Sequence, residues 1–173
     1  AFQEGQVDWV GAPFGKWHDS LFSAQRTGNI ISQPDILVCW MVFNNAHPLF
    51  QHRKWRHAFG HAIDRSGLTH NTSLLSSPAY SLLLRRCRMS RGALFPDYDV
   101  DRAQELFREA LEELGLSSKD LPRITLTFMK SGVAEQIARN LQEQLERCFG
   151  IHCLLQPLPW NILLLRLEKG DFE

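Results

Sequence analysis

The sequence predicts an α/β domain, because apolar segments of strand length alternate with segments of helical periodicity. The clearest evidence is a strand–helix–strand unit at residues 124–155, whose length suits a parallel crossover. A second observation is the order strand, helix, loop, helix that precedes this unit. Composition agrees, since 173 residues with 44% hydrophobic and 22% charged side chains are ordinary for a globular domain.

The first predicted element is a buried strand over residues 36–43, a short apolar run bounded by turn residues. In such a strand Trp40 and Val42 project to one side, and Met41 and Phe43 project to the other. If one face borders a cleft, Trp40 offers a large and rigid contact surface for a ligand. The alternative interpretation is that Trp40 is part of the core.

The first predicted helix covers residues 54–65, where apolar side chains recur at helical spacing and Gly67 follows as a stop signal. On the opposite face, His57, His61 and Asp64 are spaced i, i+4 and i+7. Imidazoles four residues apart can bind zinc or nickel. No His-Glu-x-x-His motif is present, so a solvated polar face is the simpler interpretation.

The middle of the chain is less regular. Residues 68–98 show no clear periodicity and predict a long irregular segment. A helix follows, capped by Asp99 and ended by Gly115, with a stripe of apolar residues between them. The next element is an alternating strand at residues 124–128.

The last third predicts a helix, a strand and a helix. Ser131 caps the first of these helices and Gly150 ends it. A second strand follows at residues 151–155 and is closed by Pro157. The last helix begins at Trp160 and is apolar nearly all round, so it needs partners on more than one side. We therefore expect the native protein to continue past this chain.

Charge and motifs exclude several classes of function. Nineteen basic residues balance nineteen acidic ones, which argues against a sequence-independent binder of nucleic acid or anionic membrane. The longest apolar run is far shorter than the about 20 residues of a membrane span. No dinucleotide, phosphate-loop or nucleophile-elbow motif occurs, so we expect neither an enzyme nor a cofactor. Cys148 and Cys153 can form a disulfide or remain buried thiols.

Four stretches, taken in order, carry a resemblance to a known family. The first, at residues 4–11, reads EGQVDWVG. The second, at residues 42–65, contains VFNN, PLF, WRHA and AIDR. The third, at residues 98–127, contains YDVDRA, LG, LP and LT, and the fourth, at residues 145–173, contains LERCFGI and GDFE. Together they resemble the extracytoplasmic solute-binding proteins of peptide ABC transporters. His47, where that family has Pro, is a departure.

This resemblance implies an incomplete lobe of the periplasmic-binding-protein-like type II fold, in which two α/β lobes close on a ligand by a hinge. Residues 1–35 are then expected to belong to the first lobe and hinge. Residues 36–173 would form the N-terminal two-thirds of the second lobe, truncated at the C-terminus. The resemblance also places Trp40 and Val42 next to strand positions that face the ligand in relatives, which makes them the candidate ligand-binding residues.

The function implied by the resemblance is the substrate-binding component of an ABC importer. Such a protein captures oligopeptides in the periplasm, or elsewhere outside the cytoplasm, and delivers them to a membrane permease. A lipid anchor of the full-length protein would be its one membrane attachment. Whether this piece binds peptide alone stays open. So do two alternatives, a nickel or zinc site through His57 and His61, and a protein-interaction domain.

Overall fold

The computed structural model of the protein describes residues 4–6, 38–72, 77–83, 93–117, 121 and 123–173. The chain divides into two units, Ala1–Asp35 and Ile36–Glu173. The first unit contributes only residues 4–6 to the described part, so the elements given below are those of the second unit. The assignment of the two units to two lobes stays a prediction.

The described part of the second unit contains helices packed with a small parallel sheet. In chain order the elements are α1 (Arg53–Ala62), α2 (Arg65–Thr72), α3 (Val100–Leu114), β1 (Ile124–Met129), α4 (Gly132–Phe149), β2 (Cys153–Leu158) and α5 (Trp160–Lys169). In the sheet Ile124 lies opposite Cys153, and Met129 lies opposite Leu158. Helix α4 connects the two strands, as the sequence predicts, and the α/β class is confirmed.

The structure confirms the helix ends that the sequence predicted from capping residues and from terminal glycines at α3 and α4. The side chains of Asp99 and Ser131 each accept a hydrogen bond from the backbone N–H three residues further on, at 2.9 and 3.2 Å. At the other ends, Gly115 and Gly150 have φ angles of 65° and 66°. Glycine adopts this left-handed conformation without the penalty that a Cβ would bring.

The first helix ends earlier than predicted. Helix α1 stops at Ala62, and Gly67, expected as the stop signal, lies inside α2. The cause is Asp64, whose Oδ1 accepts the Gly67 N–H at 2.9 Å while its carbonyl accepts the Leu68 N–H at 3.0 Å. Asp64 therefore caps a new helix where the apolar spacing predicted that the first would continue.

The first predicted strand is wrong over residues 38–43, the part of it that the structure describes. These residues have no regular structure because they pair with no strand of the described chain. The predicted alternation nevertheless holds. Met41 and Phe43 are half-buried against the core, whereas 56% of Trp40 and 54% of Val42 is exposed.

The second strand is displaced from its predicted range of residues 151–155, and Pro157 lies inside it rather than closing it. The hydrogen bonds between the strands explain why this proline is tolerated. The Ile124 N–H donates to the carbonyl of His152, and donors alternate along a strand. Pro157 therefore falls at a position that faces the outer edge of β2, where the sheet requires no N–H.

The irregular segment begins later than predicted, because α2 occupies its first residues. Its other described parts, residues 77–83 and 93–98, contain no helix or strand. Arg65 anchors both parts to the helices. Its guanidinium lies 5.5 Å from the ring centre of Tyr80 and donates to the carbonyl of Pro96 at 3.0 Å.

Helix α5 lies on the surface with no buried residue. It is apolar nearly all round, as predicted, and 55% of Trp160 and 50% of Leu165 is exposed. The expectation that this helix needs further partners stays a prediction. Among the described helices, none combines the length and hydropathy of a membrane span.

A continuous set of aromatic rings forms the centre of the core. Its members are Phe43, Phe50, Trp55, Phe59, Phe107 and Phe149. Phe59 is 1% exposed, and its ring centre lies 5.2 to 5.9 Å from four of the other five. The set joins α1, α3, α4 and the chain that precedes α1, so it fixes their relative positions.

We expect Phe59→Ala to lower the free energy of unfolding by about 3–5 kcal/mol, because it removes a buried ring and leaves a cavity. Urea unfolding followed by circular dichroism measures the change. Leu165→Ala is the matched control, since this leucine is half exposed on α5 and its loss should cost less than about 0.5 kcal/mol. Equal losses in the two variants would contradict the central place of Phe59.

Ion pairs on the surface join α1 to α3. The Lys54 Nζ lies 2.5 Å from a Glu109 carboxylate oxygen and 2.7 Å from one of Glu113. Hydrogen bonds from Lys54 hold the pKa of each carboxyl group below its ordinary value of 4.5, and they raise the pKa of Lys54. Because the carboxyl pKa is lower in the folded state, this stabilisation is present above about pH 4.5 and is lost on acidification.

We therefore expect the stability of Lys54→Met to decrease less steeply than that of the wild type as the pH falls from about 5 to about 3. The urea midpoint, measured across that range, reports the slope. Lys130→Met removes an exposed lysine with no ion pair in the described structure and should keep the wild-type slope. Identical slopes for wild type and Lys54→Met would show that these pairs contribute nothing.

Candidate functional site

An open groove of about 600 Å³ is the candidate site of the described structure. Three parts of the chain line it: the turn at residues 44–48, one face of the β1–β2 sheet, and residues 166–173 at the end of α5. The turn and the end of α5 are more than 120 residues apart in sequence. The groove therefore exists only because the fold brings these parts together.

The sheet face of the groove carries a hydrogen-bonded set of side chains. The Thr127 hydroxyl donates to Gln156 Oε1 at 3.2 Å, and Arg166 Nη1 donates to the same oxygen at 2.9 Å. Two donors on one oxygen fix the orientation of the Gln156 amide, so its N–H groups point away from both. The sheet thus presents a fixed amide donor at the groove.

The outer edge of β1 adds backbone donors. The Ile124 and Lys130 N–H groups donate to β2, so the N–H groups of Thr125 and Thr127 face away from it. The carboxylate of Glu173 accepts the Thr125 N–H. Within the described ranges the Thr127 N–H has no partner. This edge can therefore pair with an acceptor on an extended chain.

Asn44 connects two walls of the groove. Its Nδ2 donates to the carbonyls of Gly170 and Phe172, at 2.9 and 2.8 Å. Its Oδ1 accepts the Ala46 N–H at 3.0 Å. Gly170 ends α5 with a φ of 66°, and this left-handed turn directs the following residues back toward Asn44.

The groove carries charge of both signs. Arg166 Nε lies 3.6 Å from an Asp171 carboxylate oxygen, and the Glu173 carboxylate is already bound to the edge of β1. Its other polar groups are amides, hydroxyls and the imidazole of His47. Such a set is suited to holding hydrogen-bonding groups of a partner rather than to covalent chemistry.

The candidate residues from the sequence lie outside this lining. Trp40 and Val42 are exposed on the extended stretch that leads into the turn at Asn44. Their role in binding stays a prediction. The groove residues themselves carried no chemical motif. The sequence marked Asn44 as a turn residue and as part of the family resemblance, and Gly170 only through that resemblance.

Within the described ranges, the metal alternative has no third ligand. His57 Nε2 accepts a hydrogen bond from Arg53 Nε at 3.4 Å, and His61 Nδ1 lies 3.1 Å from the carbonyl of Asp97. Partial burial, followed by the positive charge of Arg53, lowers the pKa of His57. Asp64 lies beyond the end of α1, contrary to the expectation of one shared face. Among the residues described, no three His, Cys, Asp or Glu side chains form a cluster that could hold a metal ion.

Cys148 and Cys153 are buried free thiols, which decides between the two alternatives that the sequence left open. Burial, with smaller contributions from the Glu146 and Glu173 carboxylates, raises the pKa of Cys153 to about 12. Burial also raises the pKa of Cys148. At neutral pH both thiols are therefore protonated and unreactive, because the thiolate is the nucleophile.

Comparison with known proteins identifies similar sequences. The family model described as bacterial extracellular solute-binding proteins, family 5, middle part, matches residues 1–173. The oligopeptide-binding protein OppA of Bacillus subtilis (strain 168) is 28% identical over 178 residues, which cover 99% of this chain and 33% of that protein. The chain thus spans about a third of the length of this relative. The family description names solute binding and no reaction, in agreement with the expectation that the chain is not an enzyme.

Solved structures agree on the fold. The periplasmic oligopeptide-binding protein OppAIV of Borrelia burgdorferi is 22% identical with a TM-score of 0.67, covering 76% of this chain and 26% of that one. The pheromone receptor PrgZ, solved for its mode of peptide binding, is 18% identical with a TM-score of 0.72, covering 99% of this chain and 35% of that one. The predicted class, an incomplete α/β piece of a periplasmic-binding-protein-like fold, is confirmed.

We expect only one of the three described thiols to react in the folded protein. In a Cys87→Ser background at pH 8, an aromatic disulfide reagent should modify Cys39 first, because it is exposed, although partial burial raises its pKa too. Cys148 and Cys153 should react only after unfolding in urea. Release of the coloured thiol gives the count. Rapid modification of all three without urea would contradict the burial of Cys148 and Cys153.

Proposed function

Since the chain belongs to the bacterial extracellular solute-binding proteins of family 5, we propose that it is part of a protein that captures oligopeptides. That protein then delivers them to the membrane permease of an ABC importer. The observation that carries this proposal is the family match along all 173 residues. The ligand class comes from the oligopeptide-binding relative of Bacillus subtilis, which is similar over 99% of this chain.

The site of action follows from the same family. Its description places these proteins outside the cell. We propose the periplasm, or the outer face of the membrane with a lipid anchor on the full-length protein. The balanced charge of the chain fits this assignment, because a free solute-binding protein needs no broad attraction to nucleic acid or to an anionic membrane.

The proposed ligand-facing surface is the extended stretch before Asn44. Trp40 and Val42 project from it into solvent, while Met41 and Phe43 hold it on the core. A rigid aromatic surface of this kind accepts varied side chains. Specificity for peptides then comes from hydrogen bonds to the peptide backbone and from water-filled pockets, which are largely independent of peptide sequence.

The chain supplies only part of this binding site in the proposal. It spans about a third of its Bacillus relative, and two-lobed binding proteins enclose the ligand between lobes. The remaining contacts are assigned to the rest of the full-length protein. We accordingly expect the 173-residue chain by itself to bind peptide weakly.

The test is native mass spectrometry of the full-length protein mixed with tri- to pentapeptides, and separately with zinc. We expect one peptide per protein and no stoichiometric zinc. For the best peptide, Trp40→Ala should weaken binding by about tenfold or more, measured by calorimetry. Trp160→Ala is the matched control, because Trp160 is as exposed as Trp40, and it should bind normally.

Two outcomes would contradict the proposal. A protein that retains no peptide under any condition would refute peptide capture. Stoichiometric zinc that is lost in His57→Ala would favour the metal alternative instead. Normal peptide affinity in Trp40→Ala would leave peptide capture standing but remove Trp40 from the binding site.

A further inference from the structure

We propose that Asn44 is a positioning residue, which clamps residues 170–173 against the outer edge of β1 and so sets the wall of the groove. Its amide joins parts of the chain that are 126 and 128 residues apart. Gly170 and Phe172 provide two backbone carbonyls at and beyond the end of α5, where helical bonding no longer supplies donors. One side chain satisfies both.

The clamp is fixed at its own end. The Ala46 N–H donates to Asn44 Oδ1 at 3.0 Å, and the His47 N–H donates to the Asn44 carbonyl at 3.0 Å. This turn is attached to the core on both sides, by Phe43 before it and by buried Phe50 after it. The Asn44 amide is therefore held with its oxygen toward the turn and its nitrogen toward residues 170–173.

The consequence appears at the edge of β1. Residues 170–173 run from the end of α5 to Glu173, whose carboxylate accepts the Thr125 N–H. Apart from the bonds of Gly170 and Asp171 to their own helix, the described hydrogen bonds and ion pairs of this segment are the Asn44 clamp, the Arg166–Asp171 pair, and the bonds from the Thr125 N–H and hydroxyl to Glu173. Without the clamp, Glu173 would lose the support that keeps it at Thr125.

The clamp also connects the groove with the proposed ligand-facing surface. Asn44 directly follows the stretch that bears Trp40 and Val42, so one turn holds both. An effect on peptide affinity therefore rests on the proposed function. The positioning of residues 170–173 does not, and it can be measured in the absence of peptide.

The Asn44→Asp variant distinguishes the role of the amide oxygen from that of the amide nitrogen. A carboxylate keeps an oxygen for the Ala46 N–H but has no hydrogen to donate to Gly170 and Phe172. We expect the Thr125 amide to exchange with deuterium at least about tenfold faster in the full-length variant, while amides of α4 stay protected. Asn45→Asp is the matched control, because it places the same charge on an exposed neighbour and should leave Thr125 unchanged.

Acidification provides a readout that a general loss of stability would not reproduce. Once protonated, the carboxyl group introduced by Asn44→Asp can donate one hydrogen bond, so Thr125 protection should partly recover relative to Asn45→Asp at the same pH. Asn44→Ser, which retains a short donor, should be intermediate. Unchanged Thr125 exchange in Asn44→Asp, or equal loss in α4, would overturn the clamp.

Peptide affinity is measured last, in the same variants. We expect Asn44→Asp to weaken binding several-fold while Asn45→Asp binds normally. If the wild type binds no peptide, the proposed function fails while the exchange result for the clamp still stands. If Asn44→Asp binds peptide normally although its Thr125 amide exchanges faster, the clamp affects only the groove. That result would overturn its connection to the ligand-facing surface.

Discussion

The aromatic contacts around Phe59 hold the described part of this protein together. A parallel pair of six-residue strands is too small to be stable alone, so the sheet depends on what packs against it. Helices α1 and α3, the chain before α1 and the end of α4 all meet at these rings. Their positions bring the turn at Asn44 and the outer edge of β1 to one groove.

The sheet edges impose the second constraint. Backbone donors at an open edge must find partners or remain available to another chain. On β2, the side chains of Glu146 and Gln142 bind the backbone of Cys153, and Pro157 removes a donor. On β1, Glu173 takes the first donor, and the next one, the Thr127 N–H, has no partner among the described residues. The edge of β1 that lines the groove thus keeps hydrogen-bonding capacity in the described structure.

Local signals were sufficient for much of the fold. Asp99 and Ser131 cap their helices through hydrogen bonds to residues three positions away, so the local sequence is sufficient to predict where these helices begin. Asp64 caps helix α2 by the same kind of hydrogen bond. The sequence did not reveal this cap, because the apolar spacing continues past Ala62 and predicts one uninterrupted helix. The strand predicted at residues 36–43 failed over its described part, residues 38–43, for another reason, because pairing depends on distant partners. The groove also depends on contacts between residues more than 120 positions apart, which no local pattern reveals. The family, in contrast, was predicted from the order of its motifs along the chain.

The central claim is that the stretch before Asn44 faces a captured peptide in the full-length protein. Hydrogen–deuterium exchange, compared with and without a saturating pentapeptide, tests this most directly because it needs no substitution. The account predicts slower exchange in fragments that cover residues 38–43 when peptide is bound. Peptide binding that leaves these residues unchanged while protecting other parts of the protein would contradict it.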